Sequence, residues 1–262
     1  MLKKPKEDNM NLPNPFPGIA VNVAAAVQIS TPIAKEYKFK KAGKNGTLIA
    51  IVLDESGSMR SCWDTTIAGF NEFVQGQRSA ESSAGTGYLT LIKFDSPQIK
   101  TVFNNRPLNE VPLLDKNNYT PNGGTNLLDA IGNAIESVNA VLKANKKNDR
   151  PGVIITIMTD GAENASTRYT NADIKAMVAA AEKADWTFTF LGANIDAFAV
   201  GSTFGMNISN SVNYSTANMA ETMTSVSAST TRMRFAKTAG VSTADLYAQG
   251  LYTDTELKSM KE

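Results

Sequence analysis

The sequence has no histidine and only one cysteine, Cys62, among its 262 residues. Without histidine there is no His-based catalytic triad, no imidazole metal ligand and no imidazole pH switch. A lone cysteine makes no intrachain disulfide and no thiolate zinc cluster. Excess charge is missing as well. Twenty-six basic residues stand against 25 acidic ones, a formal charge of +1, so nothing global draws the chain to nucleic acid. The apolar stretch from Gly18 to Ile29 is interrupted by Asn22 and is too short to span a bilayer. Glu7, Asp8 and three prolines (Pro13, Pro15, Pro17) precede it, where a secretory signal would run from basic into apolar residues. An arm over residues 1–43, packed on the domain or on a neighbour, is the expectation. No GxxxxGK[ST] or GxGxxG run occurs, so the common phosphate loops are excluded.

What is present is an ordinary globular composition, 42% hydrophobic and 19% charged, with length for one α/β domain plus extensions. Thr47–Leu53 (TLIAIVL) is a continuous apolar run, as a central parallel strand covered on both faces requires. Trp63, Ile67, Phe70, Phe73 and Val74 follow at helical spacing, predicting a helix that ends near Gly76. Tyr88–Phe94 and Ile99–Phe103 read as strands separated only by Asp95–Gln98. A parallel crossover needs about ten or more residues, so these two must form an antiparallel hairpin. Leu127, Leu128, Ile131, Ile135, Val138, Val141 and Leu142 mark a long helix, and Val153–Met158 another buried strand. A helix after Thr170 and a strand over Trp186–Leu191 continue the alternation. Weaker signals predict a short helix over Asp196–Phe204, an edge strand over Ser211–Tyr214 and a last helix through Met219, Met223, Val226 and Met233. Beyond Gly240 a tail is expected, with a small helix after the Thr253–Glu256 capping box. The pattern is that of a doubly wound α/β fold, a mostly parallel sheet with helices on both faces.

Three polar clusters fall where such a sheet gathers its ligands. Asp54-Glu-Ser-Gly-Ser58 follows the first strand, Gly123-Gly-Thr125-Asn126 precedes the long helix, and Thr159-Asp160-Gly161 follows strand Val153–Met158. The C-terminal ends of parallel strands share one edge, so Asp54 and Asp160 converge there with Thr125 entering from a loop. Two carboxylates in a crevice repel unless a cation lies between them. Three hydroxyls beside them, Ser56, Ser58 and Thr125, are hard oxygen donors. An oxygen-only set suits Mg²⁺, Mn²⁺ or Ca²⁺ and disfavours zinc or copper.

Asp54-x-Ser56-x-Ser58, the downstream Thr125 and Asp160-Gly161 together resemble the metal-ion-dependent adhesion site of von Willebrand factor A (vWA) domains. The resemblance covers residues 44–234. It implies a six-stranded sheet in the order 3-2-1-4-5-6, with the Ile99–Phe103 strand antiparallel at one edge. It further implies that the serines and threonine ligate the metal, that the aspartates act largely through water, and that the sixth position takes a partner's carboxylate. The runs Thr159–Asn164 and Phe190–Asp196 resemble stand-alone vWA proteins of bacteria and their viruses. In bacteria that usage is often beside ATPases of the AAA+ type.

Three domains or segments are expected: an arm (1–43), a vWA domain (44–235) and a C-terminal tail (236–262). The expected function is non-enzymatic, Mg²⁺-dependent protein binding in the cytoplasm. A structural subunit of a virus particle or other large assembly is the alternative, motivated by the arm and tail. A Mg²⁺-dependent hydrolase is disfavoured, because no histidine can serve as base and the nearest cations to the motifs are Arg60 and Arg168. Glu55 and Glu163 read as solvated loop carboxylates, and Asn126 and Asp129 as caps or decoration of the long helix. Cys62 reads as a small helix residue, the methionine stripe as core, and Lys3–Lys6 and Lys143–Lys147 as solvated faces.

Overall fold

The computed structural model describes residue 39 and residues 45–261. The expectations for the remainder of the N-terminal arm, Lys3–Lys6 included, lie outside the described residues. Six strands form one sheet: β1 (Gly46–Asp54), β2 (Thr86–Phe94), β3 (Ile99–Pro107), β4 (Gly152–Thr159), β5 (Trp186–Gly192) and β6 (Ser211–Asn213). Their order is β3-β2-β1-β4-β5-β6. Every pairing is parallel except β2 with β3. The four-residue link of that hairpin leaves no other choice.

Burial explains the strand sequences. All nine residues of β1 are buried, so both faces carry apolar side chains, whereas β3 at the edge alternates buried with more exposed positions. Along β1 the side chains alternate between two cores. Leu48, Ala50 and Val52 meet Ile131, Ile135 and Val138 of α3 (Leu127–Lys143) and Ile174 and Val178 of α4 (Asn171–Lys183). Ile49, Ile51 and Leu53 meet Phe70, Phe73 and Val74 of α1 (Trp63–Ser79) and Met219, Met223 and Val226 of α6 (Met219–Thr238). The short helices α2 (Glu81–Ala84) and α5 (Ala197–Thr203) complete the layers.

Helix α1 does not end near Gly76 but continues to Ser79. Gly76 is there for packing. A Cβ at Gly76 would stand 2.7 Å from Ser227 Oγ, and one at Gly69 only 2.6 Å from Met223 Cγ. The two glycines let α6 lie against α1, and α6 in turn buries polar residues such as Thr222, Ser229 and Arg234.

After α6 the chain folds back as α7 (Thr243–Gln249) and α8 (Asp254–Ser259). The Thr253–Glu256 capping box forms as the sequence indicates. This segment packs on the body: Ser229 Oγ donates to Leu251 O at 2.5 Å, and the Ser215 amide donates to Met260 O at 2.8 Å. Met260 itself is wholly buried. Among the described residues no helix is long and apolar enough to cross a membrane.

Candidate metal centre

Strands β1 and β4 are neighbours, so their C-terminal ends place Asp54 and Asp160 side by side. Asp54 is a holding group. Its Oδ1 accepts the Ser56 amide at 2.7 Å and its Oδ2 accepts the Thr159 hydroxyl at 2.6 Å. Those two bonds bend the chain after β1 so that Ser56 and Ser58 turn toward β4. Ser58 Oγ donates to Asp160 Oδ1 at 2.5 Å and lies 3.1 Å from Ser56 Oγ. Thr125 completes the group from the other side. A Cβ on Gly161 would stand 3.2 Å from Thr125 Oγ1, a tight contact, and 3.8 Å from Ser58 Oγ, so glycine eases the approach of the backbone to these hydroxyls. All five residues singled out in the sequence are therefore brought together.

Thr125 is held by a residue that sequence reasoning missed. Asn164 Oδ1 accepts the Thr125 amide at 2.9 Å, and the Asn164 amide donates to Thr125 O at 3.0 Å. Tyr119, wholly buried, donates its hydroxyl to Asp54 O at 2.7 Å. Thr159, read only as part of a cluster, fixes Asp54 directly. The sequence signal for Asn164 is no more than its place in the Thr159–Asn164 run. Tyr119 sits 65 residues from its partner, with no local pattern to reveal it.

The reading of Glu55 and Glu163 as solvated carboxylates is corrected. Glu55 is 8% exposed and pairs with Lys93 at 2.5 Å. Glu163 accepts the amides of Leu128, Ala165 and Ser166 and the Ser166 hydroxyl, which fixes the loop after β4 to the start of α3. Asp129 is likewise structural, accepting the amides of Thr167, Arg168 and Tyr169. Cys62 is buried, and that burial pushes its thiol up, overriding any help from a helix start.

The electrostatics favour a cation. Burial, with a smaller contribution from the Asp160 charge, pushes the Asp54 carboxyl up to about 6 against the bonds from Thr159 and Ser56. Burial also raises Asp160, with the Ser58 bond opposing. Asp160 Oδ2 is buried with no hydrogen-bond partner among the described residues. Among those residues no three His, Cys, Asp or Glu side chains gather to hold a metal, so the donor set is two carboxylates with hydroxyls. Oxygen donors, an orphaned buried carboxylate oxygen and uncompensated negative charge fit a hard divalent ion.

Residues 49–163 match the family model of the von Willebrand factor type A domain. Proximal thread matrix protein 1 from the mussel byssus is 13% identical with a TM-score of 0.52, over 70% of this chain and 47% of that one. The same mussel protein "with zinc occupied MIDAS motif" is 14% identical with a TM-score of 0.50, over 68% and 46%. The pilus adhesin SpaC from Lactobacillus rhamnosus GG, in an open conformation, is 13% identical with a TM-score of 0.52, over 77% and 30%. This chain thus spans about half the length of the mussel protein. No curated protein is similar to it in sequence. The fold is like that of the von Willebrand factor type A domain, and residues 49–163 match that family's model.

Proposed function

We propose that this chain is a vWA domain that holds one divalent ion, Mg²⁺ by preference with Mn²⁺ or Ca²⁺ as substitutes, and binds a protein partner through it. Ser56, Ser58 and Thr125 would hold the ion, with Asp54 and Asp160 supplying negative charge. When bound, the ion offers an open position to an anionic oxygen, and a partner's Asp or Glu side chain is the proposed donor. The chain's own residues do the rest. Asp54 and Thr159 fix the serine loop, Asn164 fixes Thr125, and Gly161 keeps the crevice clear for approach. The carrying observation is the pair of buried aspartates linked through Ser56 and Ser58, with Asp160 Oδ2 left unpartnered. The mussel protein of like fold has zinc in its own MIDAS motif, which supports the reading.

Binding rather than catalysis is proposed because the cations nearest the motifs are already engaged. Arg60 Nε donates to Pro121 O at 3.0 Å, and Arg168 pairs with Glu136 at 3.4 Å and stacks on Tyr169. These contacts give both side chains partners outside the metal ligands. A cytoplasmic setting beside an AAA+ ATPase remains part of the proposal on the strength of the family resemblance. The test is binding of an aspartyl peptide in Mg²⁺ and in chelator, with wild type and Thr125→Ala. Binding that needs both Mg²⁺ and Thr125, in a folded protein, supports the reading. Peptide binding that survives chelator and Thr125→Ala contradicts it.

A further inference from the structure

A second cavity, about 250 Å³, opens beside the metal centre at the same edge of the sheet. Its floor is Glu55 and Lys93, and Asp95, Gln98, Lys100 and Asn122 are among the residues around it. It is adjacent to the centre by construction. Glu55 follows Asp54 in the chain, and the Asn122 amide donates to Glu55 O at 2.8 Å three residues before Thr125. No hydrophobic side chain lines it. It is smaller than the usual ligand pocket, so one side chain fits it better than a cofactor.

Among the described residues the floor presents a donor and an acceptor with no hydrogen-bond partner, the Tyr119 ring lying 5.7 Å from the ammonium. An ammonium has three N–H donors. Lys93 gives one to Glu55 Oε1 at 2.5 Å and one to Asn118 O, and its third has no acceptor among the described residues. Glu55 Oε1 takes Lys93 and the Thr120 amide, while Oε2 has no partner among the described residues. Both side chains are largely withdrawn from water, Lys93 at 3% exposure. Burial pulls the Lys93 ammonium below the ordinary lysine range, with the Glu55 charge opposing. Neither Lys93 Nζ nor Glu55 Oε2 is a buried orphan, so a guest that bonds them takes the place of water in the cavity.

The charges at the site also select the ligand. Glu55 and Asp95 balance Lys93 and Lys100, so a charged guest meets like charge on one side whichever sign it carries. A primary amide has an oxygen to accept from Lys93 and an NH₂ to donate to Glu55, with no charge of its own. We propose that this cavity receives an Asn or Gln side chain of the same partner whose carboxylate the metal centre takes. The cavity thereby sets which acidic sequences are bound, and in that respect the inference rests on the function proposed above.

The experiment follows backbone amide signals of the full chain by NMR. In chelator, N-acetylglutaminamide is titrated against N-acetylleucinamide. The expected result is saturable shifts at Lys93, Asp95 and Gln98 with the first compound only. In Mg²⁺, the peptides Asp-Gly-Gln, Asp-Gly-Leu, Asp-Gly-Lys and Asp-Gly-Glu are compared. The glutamine peptide is expected to bind on the order of tenfold tighter than the others, the worth of one or two well-placed hydrogen bonds. Asn122→Phe, which obstructs the mouth without touching the Asn122 backbone bond, should erase that preference and leave Mg²⁺ affinity unchanged. Equal affinities for the four peptides, or a preference that survives Asn122→Phe, overturn the inference. Glutaminamide shifts that persist while Mg²⁺ adds nothing to peptide binding would sustain the cavity and sink the metal reading. Mg²⁺-dependent peptide binding without glutaminamide shifts would do the reverse.

Discussion

Two clusters of buried charge in this molecule have opposite fates. Beneath α6, Arg234 is wholly buried, yet its guanidinium donates to Gln77 O at 2.9 Å, Gln77 Oε1 at 3.1 Å and Gly85 O at 2.7 Å. Lys237 nearby donates to Asp185 O and Thr243 Oγ1, each at 2.9 Å. These cations meet carbonyl and hydroxyl oxygens and the Asp185 carboxylate, although Arg234 Nε is left without a partner among the described residues. At the other cluster, Asp54 and Asp160 carry the same sign, and among the described residues no cation pairs with either. Burial raises both carboxyls, and one oxygen is left bare. Similar burial therefore means different things: cations met by oxygens of the fold in one place, two like charges facing one another in the other.

That contrast can be broken most severely by removing the aspartates. Asp54→Ala with Asp160→Ala should abolish divalent-ion binding in calorimetry and leave the far-UV circular dichroism of the fold intact. The mirror experiment is Arg234→Met, which strands the carbonyls of Gln77 and Gly85. It should lower unfolding stability in urea by about 2–4 kcal/mol while leaving metal affinity unchanged. Asn164→Ala keeps every proposed ligand but frees Thr125, and metal affinity should fall about ten- to a hundredfold with little change in melting temperature. The smallest effect belongs to the Arg232–Glu256 pair at 2.6 Å, whose arginine is half exposed. Arg232→Ala should cost at most about 1 kcal/mol, checked by the same urea unfolding, because solvent screens such pairs.

The parts of the fold that were legible share a local cause. Thr47–Leu53 shows its double-sided burial as an unbroken apolar run, and the short Asp95–Gln98 link forces an antiparallel hairpin. Asp54 and Asp160 stand directly after strands that periodicity identifies, so their meeting at one edge follows from topology. The Thr253 capping box is a three-residue signal. What was hidden depends on distant partners. Helix α6 has a polar buried face because Gly69 and Gly76 bring α1 against it, and no periodicity within α6 reveals that. Gly76 looks like a helix end when its role is close approach. Asn164 acts on Thr125 across 39 residues, and Lys93 turns Glu55 from a rim carboxylate into a buried ion pair.

The most direct measurement is a calorimetric titration of Mg²⁺ into the metal-free chain beside its Asp54→Ala, Asp160→Ala variant. The account predicts one saturable site in the wild type and none in the folded variant. It also predicts that an excess of Mg²⁺ about a hundred times the dissociation constant raises unfolding stability by about 2.7 kcal/mol. No binding to the wild type, or equal binding to both proteins, would contradict it.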